Sequence, residues 1–407
     1  GGFFAWGRSE ALLFFAFRPW LLLAAALFVA RIGWRKRAGF YALALLSAGL
    51  AESLFLASLG GDPWTEMLRG WAAGAALVFV LDLIVQTGRR AGGAKGQIGG
   101  AIVAALLLIV PGATAPYEQL ALGATGSRPP AQRPDLLLMT GLPLVWGETG
   151  PFDPESRPAA AWTALREEFE IRPIDYLDET ALGDSRLLLL AQPRLLAPAE
   201  LAMLDRWVRG GGHVLVLADP RLVWPSRLPP GDIRRPPVAS LLGPLLGHWG
   251  LRLDPPGDAR PFIREVASGG RIRRLATVAP GRFATDAASC RLELDGLLAF
   301  CRIGRGAALL VADADLLHDG TWAAPGPTGT ARHRRLSDNP LIAADWLDRL
   351  SGIERQRVAR PVRWRDQGAS RARALLFGAI PLIGLLALAI HGLIHNRRTK
   401  NNRRTTS

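Results

Sequence analysis

The chain has 407 residues, 49% of them hydrophobic, and a formal net charge of +14; that length allows about two or three domains with an ample core. The surplus charge is uneven: Tyr117 to Ser370 holds 32 Arg/Lys against 30 Asp/Glu, so most of it lies in and around apolar segments. A nucleic-acid footprint needs its cations on the folded domain, and no nucleic-acid partner is expected.

Crossing a bilayer takes roughly 20 apolar residues. Leu12–Ala30, Ala38–Leu59, Trp71–Gln86 and Ile98–Ala115 approach or reach that length, and Ala374–Ile394 forms a fifth such segment. The sequence therefore predicts an α-helical region of about five spans in a lipid bilayer. Basic residues mark cytoplasmic loops. Arg31, Arg35, Lys36 and Arg37 follow the first segment, and Arg89, Arg90 and Lys95 follow the third. The expected localisation is the bacterial inner membrane, multi-pass, with the large domain facing the periplasm. The arginines flanking the fifth segment argue for its reverse orientation, whereas an odd segment count places the tail in the cytoplasm. Arg18, Glu52 and Asp82 interrupt apolar runs. Ionisable groups there are costly and face a partner or water; Arg18 and Glu52 are candidates to pair, and a polar path or a contact with another membrane subunit is the functional alternative.

The predicted domains are a four-span region over 1–116, a linker over 117–133, an α/β domain with a β-rich extension over 134–353, a basic linker over 354–373, the last span over 374–394, and a basic tail over 395–407. In the α/β domain, short doubly apolar strands alternate with amphipathic helices, as in a mostly parallel sheet covered on both faces. Strands are expected at Asp135–Met139, Phe169–Ile174, Leu187–Ala191 and His213–Leu217. Pro198–Arg209 reads as a helix with Leu201, Leu204, Trp207 and Val208 on one face. A further helix is expected around Leu241–Trp249 within a Pro-, Gly- and Arg-rich stretch. Arg271–Val278 and Cys290–Val311 form the β-rich part. Asp295-Gly296 signals a hairpin; counting outward pairs Glu293 with Leu298 and sets Cys290 opposite Cys301. Directly opposed antiparallel residues lie within disulfide reach, so the two are a candidate disulfide, with two separate thiols as the alternative. Asn339–Leu350 closes the domain as a helix.

The stretch RLLLLAQPRLLAPAELAMLDRWVRGGGHVLVLADP, with GRGAALLVADADLLHDG and DNPLIAADWLDRL downstream, resembles the auxiliary-domain family of ABC-type transport systems linked to gliding motility, and the related DUF4350 proteins. The resemblance covers 134–352 and the last apolar segment. It implies a flavodoxin-like fold similar to class I glutamine amidotransferases. That enzyme class needs a Cys on a sharp turn after a strand; Ala218-Asp219-Pro220 stands there instead, which removes the amidotransferase chemistry. The resemblance further implies ABC permease and ATPase partners as separate chains.

Ligands of α/β sheets bind at strand carboxyl ends. Thr140 and Glu148 follow the first strand, Asp219 the fourth, and Asp313, Asp315, His318 and Asp319 the last. Such residues could bind a ligand or a divalent cation or serve acid/base hydrolysis; alternatively they cap helices and fix turns. Walker A, G-x-S-x-G and H-E-x-x-H motifs are absent from the sequence, and no cofactor or metal is expected. The leading expectation is a non-catalytic accessory subunit of an ABC-type transport or envelope complex. An envelope hydrolase or glycan-active enzyme using the strand-end carboxylates, and an aerotolerance-type membrane scaffold, are the alternatives.

Overall fold

The computed structural model describes residues 9–58, 63–110, 113–122, 128–148, 150, 152, 157–257, 261–324, 334–353 and 364–365. The chain divides into two compact units, Gly1–Thr125 with Arg363–Ser407, and Gly126–Val362.

The first unit is helical: α1 (Ala11–Val29), α2 (Trp34–Ser58), α3 (Pro63–Ile109) and α4 (Ala115–Leu122). α3 breaks at Gly92 and Gly93, where φ reaches 58° at Gly93, and the chain folds back on itself. Gly88 then faces Gly96 and Gly100 so closely that a Cβ on Gly88 would collide with the Gly96 carbonyl oxygen. Arg18 forms a buried ion pair with Glu52 and donates to the Gly70 carbonyl at 2.6 Å. Asp82 accepts from the Tyr41 hydroxyl at 2.8 Å and lies 3.3 Å from the Arg37 guanidinium.

Only two helical stretches among the described residues, Trp34–Phe55 and Met67–Ile109, are long and apolar enough to cross a membrane. This corrects the expectation of about five spans, and with it the multi-pass inner-membrane localisation with a periplasmic domain. The physical reason is that hydropathy counts apolar runs, and these runs do not map one for one onto helices of spanning length. The first expected segment contributes only the short apolar helix Arg18–Val29, and the third, with the fourth as far as Ile109, falls within the single broken helix α3. The fifth, Ala374–Ile394, lies outside the described residues.

The second unit is a mixed α/β domain. Its main sheet contains β1 (Asp135–Thr140), β2 (Glu170–Pro173), β3 (Leu187–Ala191), β4 (His213–Leu217), β9 (Cys290–Glu293), β10 (Leu298–Ile303) and β11 (Gly306–Val311). The order is β9-β10-β11-β4-β3-β1-β2. Five strands, from β11 to β2, run parallel; β10 and β9 add an antiparallel edge. Read from the other side, the parallel part follows the 2-1-3-4-5 order of doubly wound sheets. β3 and β11 are buried along their whole length, because both of their faces are covered. The helices are α5 (Ala160–Arg166), α6 (Glu179–Leu182), α7 (Pro198–Arg209), α8 (Gly243–His248), α9 (Asp319–Trp322) and α10 (Asn339–Ser351). α10 brings Ile342, Ala343 and Leu347 into the core beside Leu188, Leu215 and Leu309.

Two antiparallel pairs stand beside the main sheet: β5 (Leu251–Asp254) with β8 (Arg282–Thr285), and β6 (Pro261–Ser268) with β7 (Arg271–Val278). The β7 edge is held by the start of α10. Asn339 accepts from Ala276 N at 2.8 Å and donates to the Ala276 and Leu316 carbonyls at 2.8 and 2.7 Å. In the β9–β10 hairpin, Glu293 faces Leu298 and Cys290 faces Cys301. Asp295 and Gly296 take φ of 58° and 84°, the left-handed pair that a tight hairpin turn demands. Cys290 and Cys301 are joined by a disulfide.

Candidate functional site

The parallel strands aim their carboxyl ends at one rim, and the order reverses between β1 and β3, the usual ligand crevice of such sheets. Here that crevice is filled by the chain itself. Gln192, directly after β3, is fully buried and takes φ 43°. Its Nε2 donates to the Asp219 and Pro237 carbonyls at 3.1 and 3.0 Å, and its Oε1 accepts from Asp219 N at 2.8 Å. Gly141, directly after β1, lies against the same group: a Cβ there would stand 2.6 Å from the Gln192 carbonyl oxygen and 3.0 Å from Pro237. The segment 219–241 is thus drawn over the rim, and Leu222 N to Val238 O (2.9 Å) and Ser240 N to Asp219 O (2.6 Å) close it on itself.

Three of the seven predicted residues come together beneath that segment. Asp219 accepts from Arg221 N at 2.8 Å and Ala314 N at 2.9 Å, one bond to each oxygen. Asp313 accepts from Val278 N at 2.9 Å and Leu316 N at 2.8 Å, again one per oxygen. Asp315 accepts from Val223 N at 2.7 Å. Burial pushes the Asp219 carboxyl above its ordinary range. Burial, and then the neighbouring Asp219 and Asp315 charges, hold Asp313 well above it. Asp315 is raised to about 7, chiefly by burial. Desolvation disfavours the charged form, and backbone N–H donors only partly offset it.

The other four go elsewhere. His318 packs edge-on against Trp224, with ring centroids 4.8 Å apart, and burial lowers its pKa. Asp319 accepts from Ala160 N at 2.9 and 3.0 Å and so caps α5 across 159 residues of sequence. Thr140 accepts from Leu142 N at 2.9 Å within its turn. Glu148 accepts from Arg227 N at 2.9 Å; its other oxygen is buried without a hydrogen-bond partner. Among the described residues no group of three or more His, Cys, Asp or Glu side chains could hold a metal ion.

Sequence reasoning did not find Gln192 or Pro237, which close the crevice. The available signal was a polar residue directly after a wholly apolar strand, in LLLLAQP. It also did not find the buried ion pairs Arg273–Asp345 at 2.8 Å and Arg128–Asp348 at 3.2 Å, because each joins residues far apart in the chain. A shallow cleft lined by Arg133, Pro158, Trp162, Thr163, Arg166 and Glu167 lies beside the amino ends of β1 and β2, away from the strand-end carboxylates.

Residues 133–256 match a protein family described as an ABC-type uncharacterized transport system. No curated protein matches the chain. Among solved structures, the mmIFT52 N-terminal domain is similar at 13% identity and TM-score 0.35, over 53% of this chain and 97% of that one. The exo-beta-1,4-mannosidase Op5Man5 from Opitutaceae bacterium strain TAV5 is similar at 14% identity and TM-score 0.28, over 55% of this chain and 35% of that one. The cytoplasmic protein STM1381 from Salmonella typhimurium LT2 is similar at 10% identity and TM-score 0.32, over 53% of this chain and 99% of that one. Likenesses at this level carry no functional conclusion.

Proposed function

We propose that the protein is a non-catalytic accessory chain of an ABC-type transport system, in which the α/β domain recognises a partner or substrate. One observation carries this reading: the crevice where doubly wound sheets bind ligands is filled by Gln192 and Pro237. The family match over 133–256 supplies the transport context. The strand-end carboxylates support the same reading, since both oxygens of Asp219 and of Asp313 are engaged by backbone N–H groups. A hydrolase would need such an oxygen within reach of substrate.

Within that role, the narrower kinship proposed is with the gliding-motility-associated auxiliary domains and the DUF4350 proteins. Ala218-Asp219-Pro220 would then stand where an amidotransferase-like layer carries its nucleophile. The permease and the ATPase would be separate chains. Affinity capture of the full chain in mild detergent, followed by mass spectrometry, tests the proposal. Co-elution of an ABC permease with its ATPase is expected; repeated capture without either overturns it.

A further inference from the structure

The turn between α1 and α2 and the break in α3 meet at one end of the helical unit. Arg89 and Gln86 both donate to the Ala30 carbonyl, and Gln97 donates to the Leu27 carbonyl at 3.2 Å. Arg37 donates to the Ile32 carbonyl at 3.1 Å and reaches Asp82 on α3. These bonds bring Arg31, Arg35, Lys36 and Arg37 from one stretch of sequence beside Arg89, Arg90 and Lys95 from another. Asp82 sits at this end, but it is already held by Tyr41 and Arg37. Arg31, Arg35, Lys36, Arg90 and Lys95 are exposed.

Two exposed aromatic side chains, Phe28 and Trp34, border the cations. The Arg35 guanidinium lies 5.7 Å from the Trp34 ring centroid. Beyond them Leu43, Leu46, Phe79, Leu83, Ile98 and Ile102 are exposed along α2 and α3. Basic residues, then exposed aromatics, then exposed aliphatic helix surface is the sequence of layers met on passing from headgroup phosphates into acyl chains. An acidic soluble protein would satisfy the cations and leave the aliphatic surface in water; a nucleic acid would do the same.

We propose that this end of the helical unit binds anionic phospholipid headgroups. The phosphates supply the counter-charge that the five exposed cations lack among the described residues, and the acyl chains cover the adjoining apolar surface. This goes beyond the accessory role of the α/β domain and does not depend on it.

The test uses the full chain purified in a neutral detergent, offered phosphatidylglycerol and phosphatidylcholine with identical acyl chains, with retained lipid counted by native mass spectrometry. Wild type is expected to retain phosphatidylglycerol over phosphatidylcholine by at least about fivefold at low salt, and the ratio is expected to fall as salt screens the cations. The Arg31→Gln/Lys36→Gln/Arg90→Gln/Lys95→Gln variant is expected to retain the two lipids equally. Arg227→Gln/Arg234→Gln, which alters exposed arginines of the α/β domain, is expected to keep the wild-type ratio. Equal retention by wild type overturns the proposal, as does an undiminished preference in the quadruple variant. Should that variant fail to fold, the salt titration of wild type decides, and a ratio indifferent to salt overturns it.

Discussion

Asp313 at the end of β11 and Asp345 in α10 are both buried carboxylates of one domain, yet their surroundings answer burial in opposite ways. Among the described residues Asp313 meets no cation in its immediate shell; its two oxygens accept backbone N–H groups, and its neighbours are other carboxylates. Asp345 faces Arg273, which is wholly inaccessible, and also accepts from the Ser268 hydroxyl at 2.8 Å. Dipoles can hold a carboxyl group without holding its charge, so the first site favours the protonated form. The Arg273–Asp345 contact joins two specific side chains, so the second site depends on both partners being present. The difference teaches that a buried Asp is not one kind of feature: one serves as a turn-fixing acceptor, the other as half of an ionic lock between the β6–β7 hairpin and α10.

The comparison breaks most visibly at the lock. Asp345→Ala leaves Arg273 buried without its counter-charge, and the two Nη atoms of Arg273 already lack hydrogen-bond partners. A loss of about 3–5 kcal/mol is expected in urea unfolding. Arg273→Met with Asp345→Leu should cost less than Asp345→Ala alone; a larger cost would show that packing, not charge, dominates there. Next in size, Asp313→Ala removes the acceptor for Val278 N and Leu316 N. Its expected cost is about 2–3 kcal/mol by the same measurement. The Cys290–Cys301 disulfide fastens the β9–β10 edge, with 11 residues of sequence separation. Reducing it should lower stability by about 2–3 kcal/mol, read as a shift of the unfolding midpoint between reduced and oxidised protein.

The distinction is sharpened last by pH. Asp315 is raised to about 7 in the folded state, from an ordinary value of 3.8. The folded state therefore holds its proton more tightly than the unfolded state does. That stabilisation is fully present below about pH 4 and is lost as pH rises through about 7. Asp315→Asn keeps an acceptor for Val223 N but cannot ionise. It should match wild type at low pH and become the more stable protein above neutrality; parallel stability curves from pH 4 to 8 would refute the protonated site.

The main sheet was legible because local pattern sufficed. LLLM, LLLL and VLVL runs bounded by polar residues and Gly turns mark strands buried on both faces, and the predicted bounds of β3, α7, β4 and β7 coincide with the observed ones. The edge hairpin was legible for the same reason: Asp295-Gly296 sets the register, and the register sets Cys290 opposite Cys301. The site was legible only as a collection of residues. Asp319 was expected with Asp313 and Asp315, yet it caps α5, because which helix N-terminus reaches a carboxylate depends on how the layers stack.

By itself the sequence determined the alternation of strand and helix, the apolar strands and the turn residues, all of which follow from side-chain periodicity and backbone preference within a few residues. Tertiary structure alone decided that Gln192 and Pro237 fill the switch-point crevice, that the strand-end carboxylates are engaged by backbone N–H groups, and that two stretches of cations meet at one end of the helical unit. It also decided, through the break at Gly92 and Gly93 and the short apolar stretch of α1, that apolar runs do not translate one for one into spans. Each of these depends on groups distant in sequence meeting in space, which a local pattern does not encode.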